Sequence, residues 1–364
     1  MKILYLVPWP LQDKKSEDLT SVVSTSFGYY TLKNHGIDIA WHTHNRNSWM
    51  YKLCKKCHLP QLNQIFSQLS IVGKTTGYDV VYVAFDMHLL PLAILKTLKI
   101  IKTPILVLSH FAYSTQFTQS RWKRLYKRIE RKIVYQAFEK ISFACETLLD
   151  IAKQDYPVPN RHWCVANWGA NLKFYNRSIF SEPPLEQYFV AAGGMNRDYR
   201  TLVESFRSIP KASLKVFAKY RDYTHDIPHN VIFENLMRNS SYNEAYAKLR
   251  YHYYNSIAIL LPIDYINDVP NGATVLVEAL AMGKPIVITE TETNYINVEK
   301  EGCGLVVKRH DVDGWVNAIN FLLQHPEERK RMGERSFRLA IEEYNDEQFS
   351  HNILKQMEEI YPKQ

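Results

Sequence analysis

The chain has 364 residues, 46% of them hydrophobic, so it can bury substantial cores, and its length suits two domains better than one. Five cysteines do not make a disulfide scaffold, and no apolar run approaches the roughly 18 residues needed to cross a bilayer. The excess of 45 Lys and Arg over 37 Asp and Glu gives a net charge of +8, which raises nucleic acid or an anionic membrane as a partner.

The first element is the short apolar run from Lys2 to Val7, which Pro8 and Pro10 end and Asp13, Lys14 and Lys15 follow. It is too short for a signal-peptide core and reads as a buried strand, so a cytoplasmic protein is expected. A helical period follows from Thr25 to Gly36, then a strand from Asp38 to His42. Cys54-Lys55-Lys56-Cys57-His58 has the C-x-x-C-H form of covalent haem attachment. That chemistry needs export and a second axial ligand, and the run is read as a chance match in a basic surface segment. A zinc site there would have to draw on His42, His44 and His58, and no metal is expected.

Strands are predicted at Val80 to Ala84 and Ile105 to Ser109, the second followed by His110. The helix predicted from Arg121 to Lys140 holds seven basic residues and one acid between Arg121 and Lys132, a local +6. Trp122, Leu125, Ile129 and Ile133 recur on one face at helical spacing. Two readings stay open: a helix lying on an anionic lipid surface, or one whose apolar stripe packs into its own domain under a solvated basic face. Nucleic acid is set aside, since no zinc-finger spacing, RNA-binding signature or helix-turn-helix accompanies the charge. Strands at Ile141 to Cys145 and Trp163 to Ala166 complete the first set.

Residues 177–186, with Pro183-Pro184, read as a linker. Beyond it come strands at Tyr188 to Ala192, Leu214 to Ala218, Val231 to Glu234, Ile257 to Leu261, Pro285 to Thr289 and Gly304 to Val307. Helical segments such as Asp198 to Ser208 and Tyr242 to Tyr253 lie between them. This alternation predicts an α/β chain of two doubly wound, Rossmann-like parallel-sheet domains facing a cleft. The expected division is 1–176, linker 177–186, 187–345, and a final helix over 346–364 that packs back on the first domain.

Ligands of such sheets bind beyond the C-terminal strand ends. After the strand at Tyr188 come Gly193-Gly194 and Arg197, a turn where backbone approaches phosphate and a guanidinium grips it, although a plain structural turn has the same spelling. Residues 271–289 read as a small-residue loop at Asn271 and Gly272, a helix from about Thr274, a stop at Gly283 with Pro285 beyond, and a strand. The free N–H groups at such a helix start favour an anion. Glu278, about one turn in, is either an acceptor for sugar hydroxyls beside that anion or an ordinary surface carboxylate. Asp311-Val312-Asp313 precedes an apolar helical pattern from Trp315 and reads as an N-cap, not a metal site.

Gly193-Gly194 with Arg197, the run from Val275 to Val287 around Glu278, Glu301 to Val307, and His325 to Arg329 together resemble the donor half of GT-B-fold retaining glycosyltransferases of family 4 type, the glycosyl transferases group 1. The likeness spans about Tyr188 to Tyr344 and is thinner before it, resting on His110 and Asn167-Trp168-Gly169-Ala170-Asn171. It implies that Glu278 binds the nucleotide ribose, Arg197 the diphosphate leaving group and His110 the donor sugar. Gly193, Gly194, Lys219, Asn271, Gly272 and Thr274 complete the implied donor site. The sequence departs from the family at Pro270, where a second glutamate is usual, and Asp268 is the nearby carboxylate that would serve the sugar. A glycine pair usual after the first strand is also missing between Pro8 and Ser26.

The resemblance implies a hexosyl- or N-acetylhexosaminyltransferase working with retention. Its donor would be a nucleotide diphosphate sugar, a UDP-sugar first and a GDP-sugar next, with no tightly bound cofactor. A lipid-linked or polysaccharide acceptor at the inner face of the membrane would place it in cell-surface polysaccharide or glycolipid synthesis. Three alternatives carry different requirements. A nucleotide-sugar epimerase of the same fold needs added acid/base carboxylates, and a glycogen-type phosphorylase needs a lysine-bound pyridoxal phosphate. A catalytically silent basic membrane-binding protein needs neither.

Overall fold

Continuous apolar runs such as Ile105 to Leu108, Phe189 to Ala192 and Ile257 to Leu261 are fully buried, as strands covered by helices on both faces must be. The computed structural model describes residues 1–7, 26–43, 52, 56, 60–86, 88–112, 114, 120–156, 162–218, 226–264 and 269–361. They fall into two units. The first runs to Trp168 and takes in Phe349 onwards, and the second is Gly169–Gln348.

The first unit contains β1 (Lys2–Leu6), α1 (Tyr29–Asn34), β2 (Asp38–His42), α2 (Pro60–Leu69), β3 (Val80–Val83) and α3 (Leu90–Thr97). It continues with β4 (Ile105–Ser109), α4 (Arg121–Ala137), β5 (Lys140–Phe143), α5 (Glu146–Asp155) and β6 (Trp163–Val165). Its sheet is parallel in the order β2-β1-β3-β4-β5-β6. The second unit contains β7 (Tyr188–Ala192), α6 (Tyr199–Arg207), β8 (Leu214–Phe217), β9 (Val231–Glu234), α7 (Tyr242–Tyr254) and β10 (Ser256–Leu261). After these come α8 (Ala273–Ala281), β11 (Ile286–Thr289), β12 (Gly304–Val307), α9 (Val312–Gln324) and α10 (Pro326–Glu342). Its parallel order is β12-β11-β10-β7-β8-β9. The last helix, α11 (Asp346–Ile360), counts with the first unit from Phe349, and Gln356 donates to the Val165 carbonyl of β6 at 2.9 Å.

Each order reverses once, between β1 and β3 and between β7 and β10, and each reversal leaves a crevice at the carboxyl ends of the strands. On one flank of the second sheet Phe189, Phe206, Leu214, Ile319 and Trp315 share a core that fixes β7 and α6, the elements on either side of the Gly193 turn. Among the described residues no helix is long and apolar enough to cross a membrane.

Two predicted helices are shorter than their periodicity. The one expected from Thr25 begins at Tyr29, because Phe27 and Gly28 take φ of 43° and 83°. A Cβ on Gly28 would lie 2.9 Å from the Ser350 hydroxyl, so this turn is built around the missing side chain. The helix expected to reach Lys140 ends at Ala137, since Phe138 is already extended and leads into β5. The segment from Asn167 to Asn171 makes a still closer approach: a Cβ on Gly169 would coincide with the Tyr344–Asn345 backbone, and Ala170 bridges to Asn345.

Candidate nucleotide-sugar site

At the reversal between β7 and β10, three loops are tied together. Gly193, at φ 106°, turns the chain out of β7, and the Tyr199 hydroxyl holds the Gly193 carbonyl at 2.6 Å. The Asp198 N–H then donates to the Pro262 carbonyl at 2.8 Å, and the Asp264 N–H to Asn196 at 3.1 Å. Asn196 Nδ2 donates to Asn271 Oδ1 at 2.8 Å. The residues after β7, after β10 and before α8 therefore form one connected surface. Asp198 also caps α6, accepting from the Thr201 N–H at 3.0 Å, which fixes the helix that follows the turn.

Arg197 sits at the centre of this surface. Its Nε donates to the Ala192 carbonyl at 3.3 Å and Nη1 to Met195 at 2.9 Å. Nη2 lies over two glycines: a Cβ would approach it to 2.9 Å at Gly193 and 3.4 Å at Gly272. A side chain at Gly193 would have to move the guanidinium, whereas at Gly272 it would press first on Ile263. Among the described residues Arg197 has only carbonyl partners and no carboxylate, and burial lowers its pKa. A half-buried cation without a counter-charge is a costly arrangement that an anionic ligand would relieve.

Gly272, at φ 85°, is the N-cap of α8 and offers no side chain to its first turn. The N–H groups of Ala273, Thr274 and Val275 thus open the helix without a side-chain cap, beside Arg197. Gly194 has open space around its Cα. Of the residues singled out in the sequence, Gly193, Arg197, Asn271 and Gly272 meet directly, and Thr274 belongs to the same helix start. Lys219 and Asp268 lie outside the described residues, as do Cys54, Cys57, His44 and His58.

Glu278 does not lie as a surface carboxylate would. It is 1% exposed, its Oε1 accepts the Tyr175 hydroxyl at 2.5 Å, and its Oε2 accepts Tyr253 at 3.2 Å. Burial pushes its pKa from 4.5 up to about 7, while the two tyrosine hydroxyls pull the other way. Tyr253 also acts electrostatically on Arg197, so the buried carboxyl and the guanidinium share one neighbour. The sequence reading missed Tyr175 and Tyr253. Tyr253 carries a faint signal as the last inward position of α7, and Tyr175 carries none.

His110 follows β4 in the first unit. Its N–H donates to Asp86 Oδ1 at 3.0 Å, and the Ser109 hydroxyl donates to Asp86 Oδ2 at 2.5 Å. Its Nε2 meets the Ala84 carbonyl at 3.2 Å and so carries the proton, leaving Nδ1 as an acceptor. The ring lies between Phe27 and Phe85, with centroids 4.8 and 4.9 Å away, and burial lowers its pKa to about 4. The imidazole is therefore neutral at physiological pH. Asp86, 1% exposed and three residues beyond β3, organises this loop, and its position just past a strand end was the available signal.

One further cluster borders the Arg197 surface. His310, at φ 56°, places Nδ1 2.8 Å from Asp198 Oδ2 and Nε2 3.7 Å from Asp264 Oδ1. These three side chains could hold a metal ion, although Asp198 Oδ1 is already committed to the α6 cap. Asp311 accepts from the Gly314 N–H at 2.8 Å and is the N-cap of α9, as its spacing predicted.

Residues 198–339 match the model of a family described as Glycosyl transferases group 1. No curated protein matches the chain in sequence. Among solved structures, a glycosyltransferase from Rickettsia africae is similar over 100% of this chain and 99% of its own, at 14% identity and a TM-score of 0.69. Sucrose-phosphate synthase from Thermosynechococcus elongatus is similar over 99% of each chain, at 14% identity and a TM-score of 0.68. HepE from Anabaena in complex with UDP is similar over 99% of this chain and 100% of its own, at 14% identity and a TM-score of 0.66, and has also been solved with UDP-glucose. At such identities these likenesses speak to the fold. They show that this chain has the GT-B fold, and residues 198–339 within it are similar to the glycosyl transferases group 1 family.

Proposed function

We propose that the chain transfers a hexosyl or N-acetylhexosaminyl group, with retention, from a nucleotide diphosphate sugar to a hydroxyl of a lipid-linked or polysaccharide acceptor. The observation that carries this reading is Arg197, a cation without a carboxylate partner among the described residues, packed on Gly193 and Gly272 beside the uncapped start of α8. A diphosphate supplies the missing negative charge. The two positive-φ glycines let its oxygens approach the backbone, and the N–H groups of α8 add fixed donors. When the glycosidic bond breaks, charge grows on the leaving phosphate, and a guanidinium already in place stabilises it without reorganising. Retention follows the family resemblance, with attack on the leaving-group face and the phosphate taking the proton.

Glu278 engages the ribose by exchanging the Tyr175 hydroxyl for a sugar hydroxyl, one donor for another on the same oxygen. His110, neutral with Nδ1 as acceptor, is assigned to a hydroxyl of the donor sugar. The UDP and UDP-glucose complexes of HepE favour uridine for the donor, with a GDP-sugar next. Synthesis of a cell-surface polysaccharide or glycolipid at the inner face of the membrane is the corresponding setting.

Calorimetry with UDP-, GDP- and ADP-sugars tests the donor. One of them should bind, and Arg197→Ala should weaken it by about two orders of magnitude, the worth of a lost charge-assisted contact to phosphate. If none binds, or if Arg197→Ala binds as the parent does, the reading fails. Donor binding with no transfer to any hydroxyl would leave a silent nucleotide-sugar binder instead.

A further inference from the structure

We infer that α4 is a membrane-docking element that seats the first unit on an anionic lipid surface. The two sequence readings of this helix differ in where the apolar stripe points, and the structure separates them. Trp122 is 81% exposed, Leu125 49%, Tyr126 54% and Ile129 52%. On a helical projection these four fall within an arc of about 100°. The residues that anchor α4 to its unit lie on the opposite side. Val134 and Tyr135 are buried, the Tyr135 hydroxyl donates to the Ala112 carbonyl at 2.7 Å, and Arg131 pairs with Asp155 at 3.0 Å. The stripe therefore faces away from the core that holds the helix.

The surroundings extend the same surface. α3 packs beside α4, and α3 with the turn after it exposes Ile94, Leu98 and Ile100 together with Lys99 and Lys102. Among the described residues, every exposed large apolar side chain of the first unit lies on these two segments except Leu62, on the adjoining α2. Chance exposure scatters such residues singly, whereas a clustered patch marks an interaction surface.

Charge selects the occupant. Arg121, Lys123 and Lys132 flank the stripe on its two sides, all exposed, and Arg124 and Arg128 are exposed on the same turns. Flanking cations reach phosphate headgroups while Trp122, Leu125 and Ile129 enter the acyl boundary and Tyr126 stays at headgroup level. A nucleic acid would satisfy the cations and leave the stripe in water. A protein partner would need a complementary acidic and apolar groove, whereas an anionic bilayer presents both properties everywhere. This inference deepens the reading of a membrane-associated acceptor, and its test uses no donor.

The experiment is flotation of the full chain with vesicles of phosphatidylcholine alone or mixed with phosphatidylglycerol. Binding is expected to the mixed vesicles only and should fall with salt. Each cation near the surface is worth about fivefold in partition, so reversing Arg121, Lys123 and Lys132 to Glu should reduce binding by more than a hundredfold. Trp122→Ala with Leu125→Ala and Ile129→Ala, all at exposed positions, should release the protein while its circular dichroism is unchanged. Absence of flotation by the parent overturns the inference, and so does unaltered binding of either triple variant. Loss with the charge variant alone, accompanied by equal binding to duplex DNA, overturns it as well, since that is plain polyanion attraction. UDP-sugar calorimetry on the same variants should match the parent, so a failure here is distinguishable from a failure of the donor assignment.

Discussion

Glu278→Gln turns the buried carboxyl into a pH-dependent difference in stability. The folded chain holds this group at a pKa of about 7, against 4.5 when unfolded, because burial disfavours the carboxylate more than the Tyr175 and Tyr253 hydroxyls favour it. A raised pKa means that the folded state binds the proton more tightly. The stability that the protonated form brings is complete below 4.5 and is lost as pH rises through about 7. At about 1.4 kcal/mol for each pH unit, ionisation costs the folded chain about 3 kcal/mol, of which about 2.5 falls between about pH 5 and about pH 8. Gln keeps the shape and one acceptor, and its amide donates to the second tyrosine oxygen, so it carries no such slope. Urea unfolding of parent and variant at several pH values, followed by circular dichroism and tryptophan fluorescence, measures the gap directly. The stability of Glu278→Gln relative to the parent should rise by about 2.5 kcal/mol across that range, with all other titrating groups cancelling. A gap that stays flat refutes the reasoning, and one that falls with pH would mean that the tyrosine bonds outweigh burial.

Two other perturbations probe the same surface. Tyr175→Phe removes the hydroxyl that occupies Glu278 Oε1. If the ribose exchanges with it, UDP-sugar affinity measured by calorimetry should rise severalfold, whereas a fall would show Tyr175 to be a support for the site. Gly272→Ala places a Cβ 3.2 Å from Ile263 Cδ1 and 3.4 Å from Arg197 Nη2, at a φ of 85°. Strain at this positive φ should cost about 1–2 kcal/mol in unfolding experiments, and a shifted start of α8 should weaken donor binding as well.

The sheets were legible because parallel strands buried on both faces leave uninterrupted apolar runs, and the twelve strands among the described residues lie within a residue or two of where those runs fall. The glycines and Arg197 were legible for a related reason: the turn after β7 and the start of α8 are local, and their chemistry is written in adjacent residues. Glu278 was legible in position but not in state. Its partners stand 103 and 25 residues away, and nothing in the periodicity of either segment says that their hydroxyls converge on one carboxyl. His110 is a parallel case, since its neutral ring depends on Phe27 and Phe85 from two other parts of the chain. The α4 stripe was visible in the sequence, but its direction was not. Both readings require the same residues, and the anchors at Arg131, Val134 and Tyr135, which show the side that packs, are set by the fold.

Pro270 is where the sequence departs most from the family resemblance, and the geometry gives that departure a consequence. The residue is buried directly before Asn271, whose amide oxygen accepts Asn196. The loop before α8 is thus joined to the loop after β7 through a neutral amide pair, with no carboxylate from position 270 near Arg197. Among the described residues Arg197 faces only carbonyls and the positive end of α8, an arrangement that favours an anion. The same change removes an acceptor for sugar hydroxyls. Affinity in this site should therefore rest on the nucleotide diphosphate more than on the sugar, so that free UDP competes with UDP-sugar at nearly equal strength. Calorimetric displacement measures that ratio directly, and a UDP-sugar bound more than tenfold tighter than UDP would require a sugar-binding carboxylate that Pro270 does not supply.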